Sequence, residues 1–150
     1  MSLLLPPPLV VALLAAAMWG LDRAFPAGRI AFAGQQSLAV ALLALAAALM
    51  AAAVVSFASA KTTINPLRPA NASHLITTGV FRWSRNPIYL ADLLLLAAWA
   101  VWLGNFANVV WLAVFVAYIN RFQIRPEEAA LSRLFVAEYA TYCARVRRWL

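Results

Sequence analysis

Two short stretches carry side chains whose types and spacing could do chemistry. The first, Lys61 to Leu90, reads K-T-T-I-N-P-L-R-P-A-N-A-S-H-L-I-T-T-G-V-F-R-W-S-R-N-P-I-Y-L. Asn65-Pro66 and Arg68-Pro69 are turn dipeptides, and Gly79 permits backbone conformations that other residues avoid, so a structured loop is predicted. The loop delivers Arg82, Arg85, Asn86 and Tyr89 to a helix that opens at Pro87, and the N-terminus of that helix would attract an anion such as a carboxylate. The second stretch is Arg125-Pro126-Glu127-Glu128. A proline followed by two acids is also what an ordinary helix start favours on dipole grounds, and from spacing alone that account is sufficient. If both stretches lie on one side of the protein, however, they can close over one pocket. A carboxylate there would suit an ammonium group or a pair of ribose hydroxyls.

The elements that must position these residues follow from composition. Of 150 residues, 65% are hydrophobic and 11% charged, against roughly 45–50% and a quarter in ordinary soluble domains. Seventeen charges are too few to cover a soluble surface, so a soluble globular enzyme, a disordered chain and a disulfide scaffold are excluded, and the bilayer becomes the expected solvent. Cys143 is the only cysteine, which leaves no internal disulfide and no thiolate metal cluster; no metal is expected. Four apolar segments are near the length a span requires. They run from about Pro8 to Phe25, Ser37 to Ala60, Pro87 to Leu103 and Phe106 to Ile119. The first has no basic residue ahead of it and is read as a retained span. Gly104-Asn105 alone separates the last two, which predicts a tight antiparallel hairpin. Small residues such as Ala46-Ala47-Ala48 and Ala51-Ala52-Ala53 would let helices approach closely in lipid.

The net charge of +7 belongs to lipid headgroups and the positive-inside bias, with no nucleic-acid partner expected, because the basic residues sit between and after apolar runs. Lys61, Arg68, Arg82 and Arg85 occupy the middle loop, and Arg121, Arg125, Arg133, Arg145, Arg147 and Arg148 follow the last span. Both termini, the loop 61–86 and the tail are therefore expected at the cytoplasmic face. Within the tail, Leu131, Leu134, Phe135, Tyr139, Tyr142 and Val146 recur at helical spacing, which predicts one amphipathic helix over 126–148 lying against the other helices or the membrane surface. The whole chain reads as a single all-α membrane-embedded domain.

Other residues divide between functional and ordinary roles. Asp92 lies about a turn inside the third span; a buried acid there is a candidate functional group, or a side chain near enough to the end to reach the interface. Cys143 reads as a small apolar helix residue. Trp83, Trp99, Trp102, Trp111 and Trp149 mark interfaces or packing.

The order Gly79-Val80-Phe81-Arg82-Trp83-Ser84-Arg85-Asn86-Pro87-Ile88-Tyr89-Leu90, a short hairpin, then Glu127-Glu128-Ala129-Ala130-Leu131, Phe135, Tyr139, Tyr142 and Val146 resembles the isoprenylcysteine carboxyl methyltransferase and phospholipid methyltransferase superfamily over roughly residues 61 to 148. The resemblance implies an integral-membrane enzyme using S-adenosylmethionine and acting on a lipophilic or membrane-partitioned small molecule. It implies cofactor contacts from His74, Leu75, Ile76, Phe81, Asn86, Pro87, Ile88, Tyr89 and Glu127, with Glu128 as the adjacent alternative. Asn86 stands where many members have histidine, and Val136 where a glycine is common. Prenylcysteine methyltransferases place an arginine four residues before the first motif glutamate, a position held here by Gln123. Arg121 and Arg125 flank it and are the candidate substrate-binding residues, from a different helical face; the methyl acceptor is left open among a carboxylate, an amine, a thiol and a phenolic oxygen. The resemblance singles out no general base.

Two other functions fit parts of the pattern. A non-enzymatic four-span protein, such as a small dimeric transporter subunit, would need its ionisable group in mid-span, where the sequence offers only Asp92. Some membrane sterol reductases look similar in their C-terminal part and use a nicotinamide cofactor, although this chain shows no extended phosphate-binding loop.

Overall fold

A computed structural model describes residues 5–59 and 75–150; the first part of the middle loop, with His74, lies outside the described residues. Those residues form helices α1 (Pro7–Ala24), α2 (Gln35–Ser59), α3 (Pro87–Leu103), α4 (Val109–Ile119), α5 (Arg125–Leu134) and α6 (Val136–Arg145), joined by short 3₁₀ turns and one π turn. There is no strand among them, only an isolated bridge between Arg29 and Asn105. Among the described residues three helical stretches are long and apolar enough to cross a membrane: Pro7–Ala24, Gln35–Ser59 and the continuous Phe106–Leu134. α3 is apolar but has 17 residues, about 25 Å at 1.5 Å per residue.

α3 is the centre of the bundle, in contact with α1, α2 and α4. Its partner α2 buries only Ala39, Ala46 and Ala53, a stripe of small residues seven apart. On α3 the buried Ala91 and Ala98 repeat that spacing. Small residues at these positions let two backbones approach, and the close contact supplies dispersion that lipid cannot. Elsewhere α2 presents Leu38, Val40, Leu43, Leu45, Val54 and Val55 outward. The opposite side of α3 packs Tyr89 and Leu96 with Val10, Leu14 and Met18 of α1 and Phe115 and Ile119 of α4.

The two ends of the bundle are closed differently. At one end Arg29 donates two hydrogen bonds to Asp22, at 2.8 and 2.6 Å. Ile30 N–H donates to the Gly104 carbonyl at 2.7 Å, and the Gln35 amide donates to the Val101 carbonyl at 2.8 Å. Gly104 terminates α3 with φ 69°, a conformation a side chain would resist. At the other end the Gln123 amide donates to the Leu5 carbonyl at 3.0 Å. The start of α1, the start of α3 and the exit of α4 therefore share one end, together with the tail.

Two boundaries differ from those expected. The fourth helix does not stop at Ile119: it passes through a π turn, Asn120–Ile124, directly into α5. Pro126 explains the widening, because it has no N–H to give the carbonyl four residues back and its ring would press on that carbonyl. The Arg125 N–H bonds instead to the carbonyl of Asn120, five residues back. The single tail helix 126–148 is in fact two. Phe135, at φ −124° and ψ 51°, breaks it, and regular helix ends at Arg145, after which Val146 is extended. Folding the tail back at Phe135 brings Tyr139, Tyr142 and Val146 together with Leu75 and Leu131 in a second, smaller core.

The alanine stripe is sensitive to bulk. Ala53, with no exposed surface, replaced by Phe should lower stability by about 1–3 kcal/mol or more, whereas Val55→Phe on the lipid side should leave it nearly unchanged. Thermal unfolding of both variants in nanodiscs measures this, and equal melting temperatures would show that α2 and α3 do not rely on close approach.

Candidate functional site

The two stretches meet. After residues 75–77, which belong to no regular element, a 3₁₀ turn at Gly79–Arg82 seats Phe81 in the interior. The Phe81 ring meets Phe57 of α2 edge-on, with ring centres 5.5 Å apart. Gly79 has φ 62°, and a Cβ there would press on the Ser56 hydroxyl. The Tyr142 hydroxyl donates to the Phe81 carbonyl at 2.7 Å. This buried bond fastens α6 to the loop. Burial pushes the phenol groups of both Tyr139 and Tyr142 well above the usual value, so Tyr142 remains a donor throughout the physiological range.

Beyond the turn, the chain's own C-terminus runs alongside the start of α3. The Arg85 N–H donates to the Arg147 carbonyl at 3.0 Å, and the Asn86 side-chain amide donates to the Arg148 carbonyl at 2.9 Å. Ser84, buried, receives the Asn86 N–H on its hydroxyl at 3.1 Å. The Arg148 guanidinium grips Glu128 with two hydrogen bonds, at 3.0 and 2.6 Å. Arg85 reaches the same carboxylate at 3.3 Å and also donates to the Cys143 sulfur. The paired carboxylate raises Arg148 above its ordinary value.

One residue earlier, Glu127 faces differently. Its Oε1 accepts from the Tyr89 hydroxyl at 2.5 Å, and its other oxygen has no hydrogen-bond partner among the described residues. The adjacent acids thus have separate tasks. Glu128 is held by two cations, while Glu127 keeps an acceptor available at the top of α3. The Arg85 Nε is buried and unpartnered, which leaves one donor in the same cluster. A shallow groove of about 330 Å³ lies between the loop and the outer face of α6, lined by Leu75, Thr77, Ala137, Glu138, Thr141 and Arg145, none of which belongs to the cluster.

Of the residues singled out in the sequence, Phe81, Asn86, Pro87, Tyr89, Glu127 and Glu128 come together, with Leu75, Ile76 and Ile88 half-buried nearby. His74 lies outside the described residues. Arg121 and Arg125 are exposed and form no ion pair among the described residues, so neither joins the cluster. Sequence reasoning missed Ser84, Arg148 as the partner of Glu128, and Cys143 as a contact of Arg85. Arg148 carried a signal only as one of several tail arginines; the break at Phe135 that selects it had none.

A buried donor–acceptor pair at the fastening should register in stability. Tyr142→Phe leaves the Phe81 carbonyl without its partner and should cost about 1–2 kcal/mol. The elevated phenol value adds a pH signature. The unfolded phenol ionises above about pH 10 while the folded one does not, so this contribution is complete below that pH and lost above it. The melting temperature should therefore decline above about pH 10, less steeply in Tyr142→Phe. Identical alkaline profiles would remove Tyr142 from this role.

Comparison with known proteins places these features in a family. The family model described as "Phospholipid methyltransferase" matches residues 35–138, from the start of α2 into α6. An uncharacterized protein of Haemophilus influenzae is 49% identical over 65 residues, which is 42% of this chain and all of that protein. No solved structure matches the chain.

Proposed function

The chain belongs to the phospholipid methyltransferase family, and we propose that within this family of membrane methyltransferases it uses S-adenosylmethionine to methylate a lipophilic or membrane-partitioned acceptor. The observation that carries the reading is the convergence of Asn86, Tyr89 and Glu127 at the start of α3, next to the Arg85–Glu128–Arg148 ion cluster. Family membership sets aside the transporter and reductase readings.

The residues present suit such a cofactor. It brings a carboxylate, an ammonium, ribose hydroxyls and a sulfonium-bound methyl, and when bound it supplies the electrophilic carbon. The buried, unpartnered Arg85 Nε offers a donor for an anion. The second oxygen of Glu127 accepts from an ammonium or a hydroxyl, and Tyr89 fixes the orientation of that carboxylate through its hydrogen bond. Leu75, Ile76 and Phe81 supply an apolar wall for a flat ring. Glu128 serves differently from Glu127: it anchors the tail that walls the site. Rate then comes from positioning two reactants and excluding water. Placement of this end at the cytoplasmic face follows from its arginines and belongs to the same proposal.

Isothermal titration of purified protein in nanodiscs with S-adenosylhomocysteine tests it. Binding is expected at micromolar concentrations, and Glu127→Ala should weaken it about 10- to 100-fold through loss of a charge-assisted hydrogen bond. No heat at millimolar ligand would overturn the proposal, and an unchanged affinity in Glu127→Ala would remove that residue from the site.

A further inference from the structure

Asp92 is the acid that the site as described leaves unused. It lies in α3 with 9% of its surface exposed, and it makes no hydrogen bond or ion pair with any described residue. The other acids are accounted for. Asp22 is held by Arg29, Glu127 by Tyr89 and Glu128 by two arginines, and Glu138 is exposed. A buried carboxylate without a partner at membrane depth is costly, and it persists where it does work.

Its position indicates the work. Asp92 follows Tyr89 by three residues, so the two lie on neighbouring parts of one helix face, with Asp92 about 4.5 Å deeper along the axis. Glu127, Tyr89 and Asp92 therefore form a polar file leading from the ion cluster toward the hydrocarbon. Among the described residues no basic side chain lies beside it to neutralise it. α2 has no ionisable residue at all between Gln35 and Ser59. The ionisable residues of α1 are Asp22 and Arg23, which lie at its far end. That of α4 is Tyr118, which accepts from the Leu5 N–H.

From this geometry, and resting on the methyltransferase reading above, we infer that Asp92 accepts the proton released by the methyl acceptor, and that the acceptor is therefore a protic head group on a lipophilic molecule. The balance distinguishes acceptors. When X–H attacks, the X–C bond forms, the S–C bond breaks with its electron pair passing to sulfur, and the X–H proton must go to a base. Asp92 takes it and becomes a neutral carboxylic acid, which later releases it to water at the interface. A carboxylate acceptor carries no such proton and would need no base at this depth. A thiol or hydroxyl does, and an amine, which is an ammonium at neutral pH, must give one up before its lone pair can attack. A negative carboxylate beside the reacting atom would also repel a carboxylate acceptor, so the same residue selects against it.

Three twelve-carbon amphiphiles differing only in their heads test this: dodecylamine, dodecanethiol and dodecanoic acid, each in nanodiscs with the full-length protein and isotopically labelled S-adenosylmethionine. Methylation of the amine or the thiol, and not of the acid, is expected. Asp92→Asn should slow that transfer about 100-fold or more at neutral pH. For the thiol the deficit should shrink as pH rises toward the alkanethiol's own pKa, which lies above that of a cysteine side chain, because there the acceptor sheds its proton unaided. S-adenosylhomocysteine affinity, measured separately by titration, should be within twofold of wild type. Methylation of dodecanoic acid alone, an Asp92→Asn rate equal to wild type, or cofactor binding with neither protic head methylated would each overturn the inference. Loss of S-adenosylhomocysteine binding in Asp92→Asn would overturn it too, since the residue would then act through the cofactor pocket; Asp92→Glu, which keeps the base, should retain both binding and measurable transfer. If the wild-type protein fails to bind S-adenosylhomocysteine, it is the methyltransferase reading that falls first.

Discussion

Two guanidinium groups close on one carboxylate where the chain leaves the apolar bundle, and the arrangement of that end depends on this contact. Glu128 belongs to α5, Arg85 to the approach to α3, and Arg148 to the last residues of the chain. Each ion alone would be expensive at the edge of a low-dielectric region, and leaving any one of them unpaired would be more so. Together they oblige three segments distant in sequence to assemble. Once they do, the neighbouring residues have little choice: Asn86 meets the Arg148 carbonyl, and Glu127 turns to Tyr89. An ion cluster of this kind contributes geometry more than net stability.

Its assembly requires the tail to fold back, and two local features arrange that. Pro126 widens the helix into a π turn, which inserts an extra residue and so rotates α5 relative to α4. The break at Phe135 then reverses the direction of the amphipathic segment. Neither step is driven by hydrophobic pressure from lipid, since the apolar side chains of α6 find their own small core around Tyr139, Tyr142 and Val146.

The sequence was most informative where one physical rule dominates. The third apolar segment, Pro87 to Leu103, coincides with helix α3, because a proline start and a Gly-Asn stop are local signals that tertiary contacts do not override. The meeting of the loop with Glu127-Glu128 is legible from the arginines that put both stretches at one face, whereas spacing alone accounts for the two acids as a helix start; only the family resemblance singles out Asn86, Tyr89 and Glu127 together. That the helix runs on past Ile119 into α5 is not legible locally, because Pro126 at a helix start and Pro126 tolerated inside a helix have the same local sequence; the widened turn that distinguishes them involves backbone hydrogen bonds. The break at Phe135 was invisible, as no glycine or proline marks it and the helical period of apolar residues continues through it. Arg148 was therefore counted as surface charge when it is an anchor.

The unequal lengths of α2 and α3 bear on how a molecule dissolved in the bilayer meets this protein. α2 extends far enough for Ser56 and Phe57 to lie level with the turn at Gly79–Phe81, whereas α3 begins only at Pro87. A helix of about 25 Å is shorter than a hydrocarbon layer of about 30 Å, and the mismatch is relieved by thinning the lipid or by drawing polar groups inward. The first half of α3, with no exposed residue before Leu95, is screened from that mismatch by the helices around it. On the proposed reading a lipophilic acceptor therefore passes between helices to bring its head to the depth of Tyr89, with its tail still among the acyl chains.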